Sequence, residues 1–285
     1  LYKIYLKSLM NYKIIRVSHQ NYQGIYNLFN KKKIYKLDYN DFYSEYFKEH
    51  IGYSNSFSLE MNNLGNQAQE IIINDYFFQT KWAEKYAPQL LRDENKNFLK
   101  EVFFKQIKYY KPDILFFQHK SPLTLKEINE LKETNKTIKI IAIHNGIKLN
   151  KEEASIPDLI FAATPDLYLD YKSRNLNTDL CYHYFDQNIL NKISIKDKKF
   201  DLTFCGTTGY KGSPHRTRGE YIEFLKKNTN IKIKGNKSVK EKNIFSKYFK
   251  KIFPNYRKQL FGLSYYDFLS QSFISFNSHT DLSKN

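Results

Sequence analysis

Histidines occupy a recurring position in this sequence, at the end of a short apolar run or in the loop that follows one. Six of the seven histidines do so, namely His19, His119, His144, His183, His215 and His279, whereas His50 lies elsewhere. If the apolar runs are strands of a parallel sheet, these imidazoles gather at its carboxyl edge, where such sheets bind ligands and where histidine can exchange protons near neutral pH. The placement predicts a polar cleft, with packing or hydrogen bonding as the simpler role for any one histidine taken alone.

A second candidate site is the glycine-rich stretch at residues 206–219. Four of the ten glycines fall here together with three cations, namely Gly206, Gly209, Gly212, Gly219, Lys211, Arg216 and Arg218. Small residues let backbone N–H groups approach an anion, a following helix adds a partial positive charge, and arginine offers paired donors to phosphate. The stretch therefore predicts a diphosphate site, with a flexible surface loop as the alternative.

Several better-known chemical signatures are missing from the sequence. It contains neither Gly-x-Gly-x-x-Gly nor Gly-Lys-Ser/Thr, which argues against hydride transfer and ATP hydrolysis. It also lacks Gly-x-Ser-x-Gly, His-Glu-x-x-His and Asp-x-Asp, and no histidine pair has the spacing of zinc ligands. We therefore predict a metal-independent mechanism, no metal site and no tightly bound cofactor.

The chain is strongly basic and rich in aromatic residues. Its 46 Lys and Arg against 29 Asp and Glu give a net charge of +17, and it holds 24 Tyr and 23 Phe. Cations and aromatic rings together suit nucleic acid, because they neutralise phosphates and stack on bases. The lysines are spread along the whole chain, however, which indicates a compositional bias and argues against nucleic acid as the partner. A nucleotide donor or peripheral contact with an anionic membrane surface also suits the charge.

The elements that would position these residues alternate between short apolar strands and longer helices, as in a parallel sheet with crossover helices. The predicted strands are 12–17, 113–118, 138–143, 159–162, 179–183, 200–205, 231–234 and 273–277. The predicted helices are 22–29, 41–50, 76–86, 95–110, 123–133, 165–174 and 219–227. A polar stretch, 193–199, separates a five-strand set from a new strand-loop-helix unit. We predict an α/β protein of two Rossmann-like domains, 1–195 and 196–285, with parallel sheets, helices on both faces and an incomplete second domain.

Motifs in order along most of the chain resemble the CgeB-type (spore-maturation-protein-like) glycosyltransferases, which have the two-domain GT-B architecture. The similar segments are a Gly65-led run ending at Asn74 and Asp75, then Gln79 with Trp82 and Ala83, then 106–118 with its Lys-Pro-Asp, 200–206 with His215 and Arg218, 232–235 and 266–279. The resemblance implies that residues 209–214 are an extra loop and that the chain is truncated, since the family's next segment would begin just after Asn285.

The resemblance implies transfer of a sugar from a nucleotide-diphosphate co-substrate to an acceptor that it leaves open, whether glycan, lipid or protein. The donor would bind the second domain through Gly206, Thr207, Thr208, Lys211, His215, Arg216, Arg218, Gly235 and His279. Arg218, with Arg216 and Lys211 behind it, would stabilise the leaving diphosphate. In the acceptor-side first domain, His19 is the leading candidate for the catalytic base, with His119 and His144 as alternatives.

The setting and the competing function follow from composition. Two cysteines, Cys181 and Cys205, cannot form a disulfide framework, and no apolar run is long enough to span a bilayer. We therefore predict a cytoplasmic protein. The alternative to the enzyme is a basic module that binds nucleic acid or an anionic surface without catalysis.

Overall fold

The computed structural model describes residues 11–20, 33–52, 54–91, 97–194, 197–208, 215–235 and 260–278. The chain divides into two compact units, Leu1–Asp186 (unit 1) and Gln187–Asn285 (unit 2). The domain boundary predicted between residues 195 and 196 falls on residues outside the described ones. None of the helices in the described ranges combines the length and apolar character that crossing a bilayer requires.

Unit 1 is built on a six-stranded parallel sheet. Its strands are β1 (Lys13–Ser18), β2 (Gln67–Ile72), β3 (Ile114–Gln118), β4 (Ile140–Asn145), β5 (Leu159–Ala162) and β6 (Thr178–Leu180). Their spatial order is β2-β1-β3-β4-β5-β6, and every neighbouring pair is parallel. The chain moves outward from β1 to one edge and then returns past it to β3 and the other edge. Right-handed crossovers of opposite direction place helices on opposite faces of the sheet.

The helices described in unit 1 are α1 (Tyr39–Lys48), α2 (Ser56–Asn63), α3 (Tyr76–Tyr86), α4 (Phe98–Tyr110), α5 (Leu125–Thr134), α6 (Lys151–Ala154) and α7 (Pro165–Ser173). Five of them begin with a side chain that accepts a hydrogen bond from a first-turn N–H, namely Asp38, Asp75, Thr124, Asn150 and Thr164. Such caps satisfy amides that a helix leaves without a partner, so the sequence itself marks where these helices start.

Both faces of the central strands are apolar, but they pack against different helices. Leu115 and Phe117 of β3 belong to a buried cluster that also holds residues of α4, α5 and α7. Phe116, which points to the other face, stacks on Phe57 of α2 with ring centroids 5.0 Å apart. The alternation follows from the two-residue period of a strand, and the sheet therefore has helices on both faces.

Unit 2 holds a three-stranded parallel sheet in the order β8-β7-β9. Its strands are β7 (Phe200–Cys205), β8 (Lys232–Lys234) and β9 (Ser272–Ser275), and its described helices are α8 (Arg216–Asn228) and α9 (Leu263–Ser270). Helix α8 connects β7 to β8, and α9 precedes β9. The predicted α/β class, with parallel sheets in two Rossmann-like units, is confirmed.

Several predicted elements were wrong in detail. Strand β2 was not predicted, so the five-strand set of the first domain is a six-strand sheet. Its exposed Gln67 and Gln69 hide the apolar pattern, because a strand at the sheet edge keeps one row of side chains in water. Helices α2, α6 and α9 were not predicted either, and the predicted helix 22–29 lies outside the described residues.

The start of α8 and the end of β6 also differ from the prediction. The predicted helix 219–227 begins earlier, at Arg216, so Arg216 and Arg218 lie in its first turn rather than in a loop. Strand β6 ends at Leu180, which leaves His183 in the segment that follows. The first shift matters for binding because N–H groups in the first turn of a helix point along its axis and can face an anion. The second places the His183 side chain in a loop, where the strand no longer fixes its direction.

Candidate functional site

The strand order of unit 1 reverses between β1 and β3, and this is where ligands bind in open parallel sheets. His19 follows β1 and His119 follows β3, and these two strands are hydrogen-bonded neighbours. Both rings are half-buried. The structure therefore brings His19 and His119, two of the three candidates for a base, to the topological switch point of the sheet.

His119 has an unusual backbone. Its φ of 97° lies in the region that L-residues rarely adopt. Its N–H donates to the carbonyl of His144 at 2.8 Å, which extends the β3–β4 pairing by one residue. Such strain persists only where the surroundings hold it, and it clusters at functional sites. We take the geometry of His119 as the main structural mark of the candidate site.

His144 uses both ring nitrogens within the sheet edge. Its Nδ1 lies 2.9 Å from Nε2 of Gln118, and its Nε2 lies 2.8 Å from the carbonyl oxygen of Cys181. Because a carbonyl can only accept and the Gln118 amide donates, His144 is the neutral tautomer with its proton on Nε2. The His183 ring packs edge-on against it, with centroids 4.9 Å apart. The ring of His144 is thus fixed in position by β3 and by the segment after β6.

Burial lowers the pKa of His19, His119 and His144 below the ordinary value of 6.5. The pKa of His119 is lowered further by the charges that His19, His144 and His183 would carry when protonated. These rings are therefore neutral at pH 7, the state in which imidazole accepts a proton. Burial is the main cause for all three, and the neighbouring histidines add to it for His119 and His144.

Polar residues behind the switch point hold its loops. Asn74, which follows β2, accepts a hydrogen bond from the Gln20 N–H at 2.8 Å and donates to the Gln20 carbonyl at 3.0 Å. Gln79 Nε2 donates to the carbonyl of Ile72, and Trp82 Nε1 donates to the Tyr110 hydroxyl. Asn74 and Gln79 therefore support the carboxyl edge of the sheet, whereas Trp82 joins α3 to the end of α4.

His50, the one histidine that the sequence pattern set apart, also reaches this part of unit 1. It is buried with a φ of 49°, and its Nδ1 lies 3.2 Å from Oδ2 of Asp186 in the segment after β6. The adjacent Ile51 carbonyl accepts a hydrogen bond from Gln20, just beyond β1. Excluding His50 from the carboxyl edge was wrong, because helix α1 returns the chain to that edge.

At the carboxyl edge of unit 2, two glycines bring backbones into contact. Gly206 follows β7 and donates its N–H to the Lys234 carbonyl at 3.0 Å. A Cβ placed on Gly235, which has a φ of 156°, would lie 1.8 Å from the Gly206 carbonyl oxygen. Any side chain at Gly235 would therefore push the ends of β7 and β8 apart.

Arg218 joins two loops at that same edge. Its Nε donates to the Ser278 carbonyl at 2.9 Å, its Nη2 bonds the same oxygen, and its Nη1 lies 3.3 Å from the Thr207 carbonyl. The guanidinium thus connects the chain after β7 with the chain after β9. It is part-buried and adjacent to the N-terminus of α8, where anions are favoured.

The other predicted donor-site residues fall into three groups. Thr207, Thr208 and His215 are half-buried, and His215 is the N-cap residue of α8. Arg216 is exposed and pairs with Glu220 one helical turn away at 2.8 Å, so the structure directs it along the helix surface. Lys211 and His279 lie outside the described residues.

Gln118 was not identified from the sequence, whereas His183 was predicted to lie at this edge with the other strand-end histidines. Gln118 ends β3 and orients His144, and His183 packs on that ring. A polar residue closing a buried apolar run was the available signal for Gln118. The described residues contain no group of three or more His, Cys, Asp or Glu placed to hold a metal ion.

No protein-family model matches the chain, and no curated protein matches it in sequence. Three solved structures are similar to it in fold. A putative UDP-N-acetylglucosamine 2-epimerase from Listeria monocytogenes is 9% identical with a TM-score of 0.42, over 94% of this chain and 74% of that one. The Methanocaldococcus jannaschii UDP-GlcNAc 2-epimerase, solved with UDP-GlcNAc and UDP, is 13% identical with a TM-score of 0.44, over 92% and 78%.

A further UDP-N-acetylglucosamine 2-epimerase structure is 9% identical with a TM-score of 0.41, over 94% of this chain and 73% of that one. Similarity at this level does not extend to activity, ligands or site residues. The function is therefore argued from the residues of this chain.

Proposed function

We propose that this protein is a glycosyltransferase that uses a nucleoside-diphosphate sugar. The observation that carries the proposal is the carboxyl edge of the unit 2 sheet, where Gly206 and Gly235 meet and Arg218 ties two loops together. This edge adjoins the N-terminus of the 13-residue helix α8. Backbone amides, a helix N-terminus and a guanidinium are the groups that bind diphosphate without a metal.

The chemical step is a displacement at the anomeric carbon. The bond from that carbon to the diphosphate oxygen breaks, a bond to the acceptor oxygen forms, and the acceptor's proton passes to a base. Negative charge builds on the leaving diphosphate, so fixed positive dipoles that face it lower the barrier. In the proposal, the N-terminus of α8 supplies these dipoles and Arg218 holds the loop after β7 in place.

In the proposal, the base that takes the acceptor's proton is a histidine of unit 1. His119 and His19 are the proposed bases, because both are half-buried and neutral at the switch point. His144 has both nitrogens engaged, so we assign it a positioning role through Gln118 and Cys181. We rank His119 ahead of His19 as the base because the backbone of His119 is strained.

Calorimetry with nucleotides tests the donor half directly. We expect UDP, GDP or TDP to bind, and the matching nucleoside without phosphates to bind at least about tenfold more weakly. Arg218→Ala should weaken nucleotide binding by about tenfold or more, while Lys226→Ala, which removes a charge from the far end of the same helix, should not.

Gly235→Ala supplies an independent variant that keeps every charge. It should also weaken the nucleotide, because the β7 and β8 ends must separate. Circular dichroism of each variant checks that unit 2 is still folded. Equal affinity for nucleotide and nucleoside, or full nucleotide affinity in a folded Arg218→Ala protein, would refute the donor site.

A basic binding module is the second candidate, and the net charge of +17 is the observation that favours it. It predicts tight RNA or anionic-vesicle binding that falls steeply with salt. Nucleotide binding that depends on the diphosphate, together with weak RNA binding, would favour the enzyme.

A further inference from the structure

A cavity of about 320 Å³ lies on the α2 face of the unit 1 sheet. Its floor is formed by alternate residues of three neighbouring strands, Ile114 and Phe116 of β3, Ile140 and Ala142 of β4, and Leu159 and Phe161 of β5. Phe57 and Met61 of α2 also line it. The volume is at the lower end of the range for small-molecule sites.

The lining is almost entirely apolar, and two polar residues stand at one end of it. Among the described residues that line the cavity, none is Asp, Glu, Lys or Arg. Gln118 and His144 lie at the carboxyl ends of β3 and β4, paired in register, and both line the cavity. From Ile114 to Gln118 the strand rises by about 13 Å. The cavity thus leads from an apolar interior to the edge that carries His119 and His183.

A buried serine lies on the neighbouring strand β1, close to this end. Ser18 closes β1, is fully buried, and its hydroxyl has no hydrogen-bond partner among the described residues. It lies one residue beyond Val17, whose partner Phe117 directly precedes Gln118. Ser18 thus lies beside the carboxyl edge that carries Gln118 and His144, although it is not among the residues that line the cavity.

We propose that this cavity binds the hydrocarbon chain of an amphipathic molecule, whose polar head lies at the Gln118 and His144 end. The absence of charged groups from the described lining favours hydrocarbon. We place the polar head at the Gln118 and His144 end because that end faces the carboxyl edge of the sheet. The inference rests on the proposed function in one respect, because we take the amphipathic molecule to be the sugar acceptor. Its head would then present the hydroxyl that receives the sugar near His119. The inference thereby selects a lipid-bearing acceptor.

The test uses alkyl glucosides below their micelle concentrations. Octyl β-D-glucoside should bind, methyl β-D-glucoside should bind at least about tenfold more weakly, and each added CH₂ should tighten binding by up to about fourfold. Ala142→Leu places extra carbon in the cavity and should abolish the chain-length dependence. It should not lower the melting temperature, because the added carbon occupies apolar space.

Leu169→Ala is the matched control. This leucine of α7 is 63% exposed, so its loss tests whether alkyl chains adhere to surface apolar residues in general. The control variant should bind octyl glucoside as the wild type does. Absence of chain-length dependence in the wild type, or its persistence in a folded Ala142→Leu protein, would overturn the proposal.

A second measurement needs no change to the cavity floor. Cys181 is exposed and lines the cavity, and Cys205 is the other cysteine of the chain. In a Cys205→Ser protein, octyl glucoside should slow the reaction of Cys181 with a disulfide reagent at least about threefold, and methyl glucoside should not. Equal rates would contradict the site.

The two proposals can fail separately. Octyl glucoside binding without diphosphate-dependent nucleotide binding would leave the chain site standing and reject the glycosyltransferase. Diphosphate-dependent nucleotide binding without any preference for alkyl chains would support the glycosyltransferase and reject the chain site.

Discussion

His119 combines a left-handed backbone, a half-buried ring and neighbours that oppose its protonation. Each property disfavours the residue as a simple packing element. A strained backbone raises the energy of the folded state, and burial of an imidazole disfavours the charged form. Together they describe a group held in one place as a neutral acceptor. His144, by contrast, satisfies both nitrogens and needs no ligand to do so.

The pKa of His119 makes a prediction about stability. The unfolded chain binds the proton near pH 6.5, whereas the folded chain binds it only at lower pH. Stability is therefore complete above about pH 6.5 and falls as the pH drops from there toward the folded pKa. We expect the urea midpoint to fall between about pH 7.5 and about pH 5.5, and to fall less in His119→Asn.

Asparagine is chosen because it tolerates a left-handed backbone. The adjacent Lys120→Gln, which removes an exposed charge, is the matched control and should keep the pH dependence of the wild type. An unchanged pH dependence in His119→Asn would show that His119 titrates normally in the folded protein.

At the scale of elements, a buried ion pair ties α2 to the sheet. Arg16 of β1 donates to Glu70 of β2 at 2.6 Å, and both side chains are almost fully buried. Arg16 also bonds the Ser54 carbonyl, and Glu70 accepts from the Ser58 N–H at 3.2 Å. The Arg16 guanidinium lies 5.4 Å from the centroid of Phe57. These contacts hold the helix that lines the apolar cavity.

Breaking this pair should be costly. Glu70→Gln removes the negative charge that lies 2.6 Å from the buried Arg16, and we expect it to lower the free energy of unfolding by about 3–5 kcal/mol. The double change Arg16→Met with Glu70→Leu should cost less than the single one, because neither charge remains. Urea denaturation measures both. A double variant as unstable as Glu70→Gln would mean that backbone contacts, rather than charge, dominate.

The position of α8 shows how an element boundary changes the chemistry. The sequence predicts Arg216 and Arg218 together in a loop, with Arg218 as the leading residue for the diphosphate and Arg216 behind it. In a helix, residues two apart point to different sides. Arg216 therefore pairs with Glu220 on the surface, whereas Arg218 reaches the Thr207 and Ser278 carbonyls. The proposed donor site depends on that difference.

At the scale of the whole molecule, the chain separates into two units with their own sheets. The largest buried cluster described, from Ile15 to Tyr171, lies wholly in unit 1. A unit that buries its own core can fold alone. We therefore expect residues 1–186 to form a stable protein without unit 2.

The single tryptophan makes this measurable. Trp82 is 1% exposed in unit 1 and should emit at short wavelength in a folded fragment. Fragment 1–186 should unfold in one cooperative urea transition, with tryptophan emission and circular dichroism changing together. A fragment with solvent-exposed tryptophan emission and no transition would show that unit 1 requires the rest of the chain.

The sequence by itself determined the α/β class, most strand positions and the gathering of histidines at strand ends. These follow from local rules, namely the period of apolar residues, helix caps and the common direction of parallel strands. Strand β7 and helix α3 lie where the sequence predicted them, Phe200–Cys205 and Tyr76–Tyr86.

Only the tertiary structure decided which partners those residues meet. The insertion of β2 beside β1 created the switch point, the contact of Gly206 with Gly235 closed the second edge, and the placement of α2 left a cavity over β3–β5. Arg218 and His144 acquired their roles from carbonyls at Ser278 and Cys181. Contacts between residues far apart in the chain are set by the packing of whole elements, which local sequence patterns do not specify.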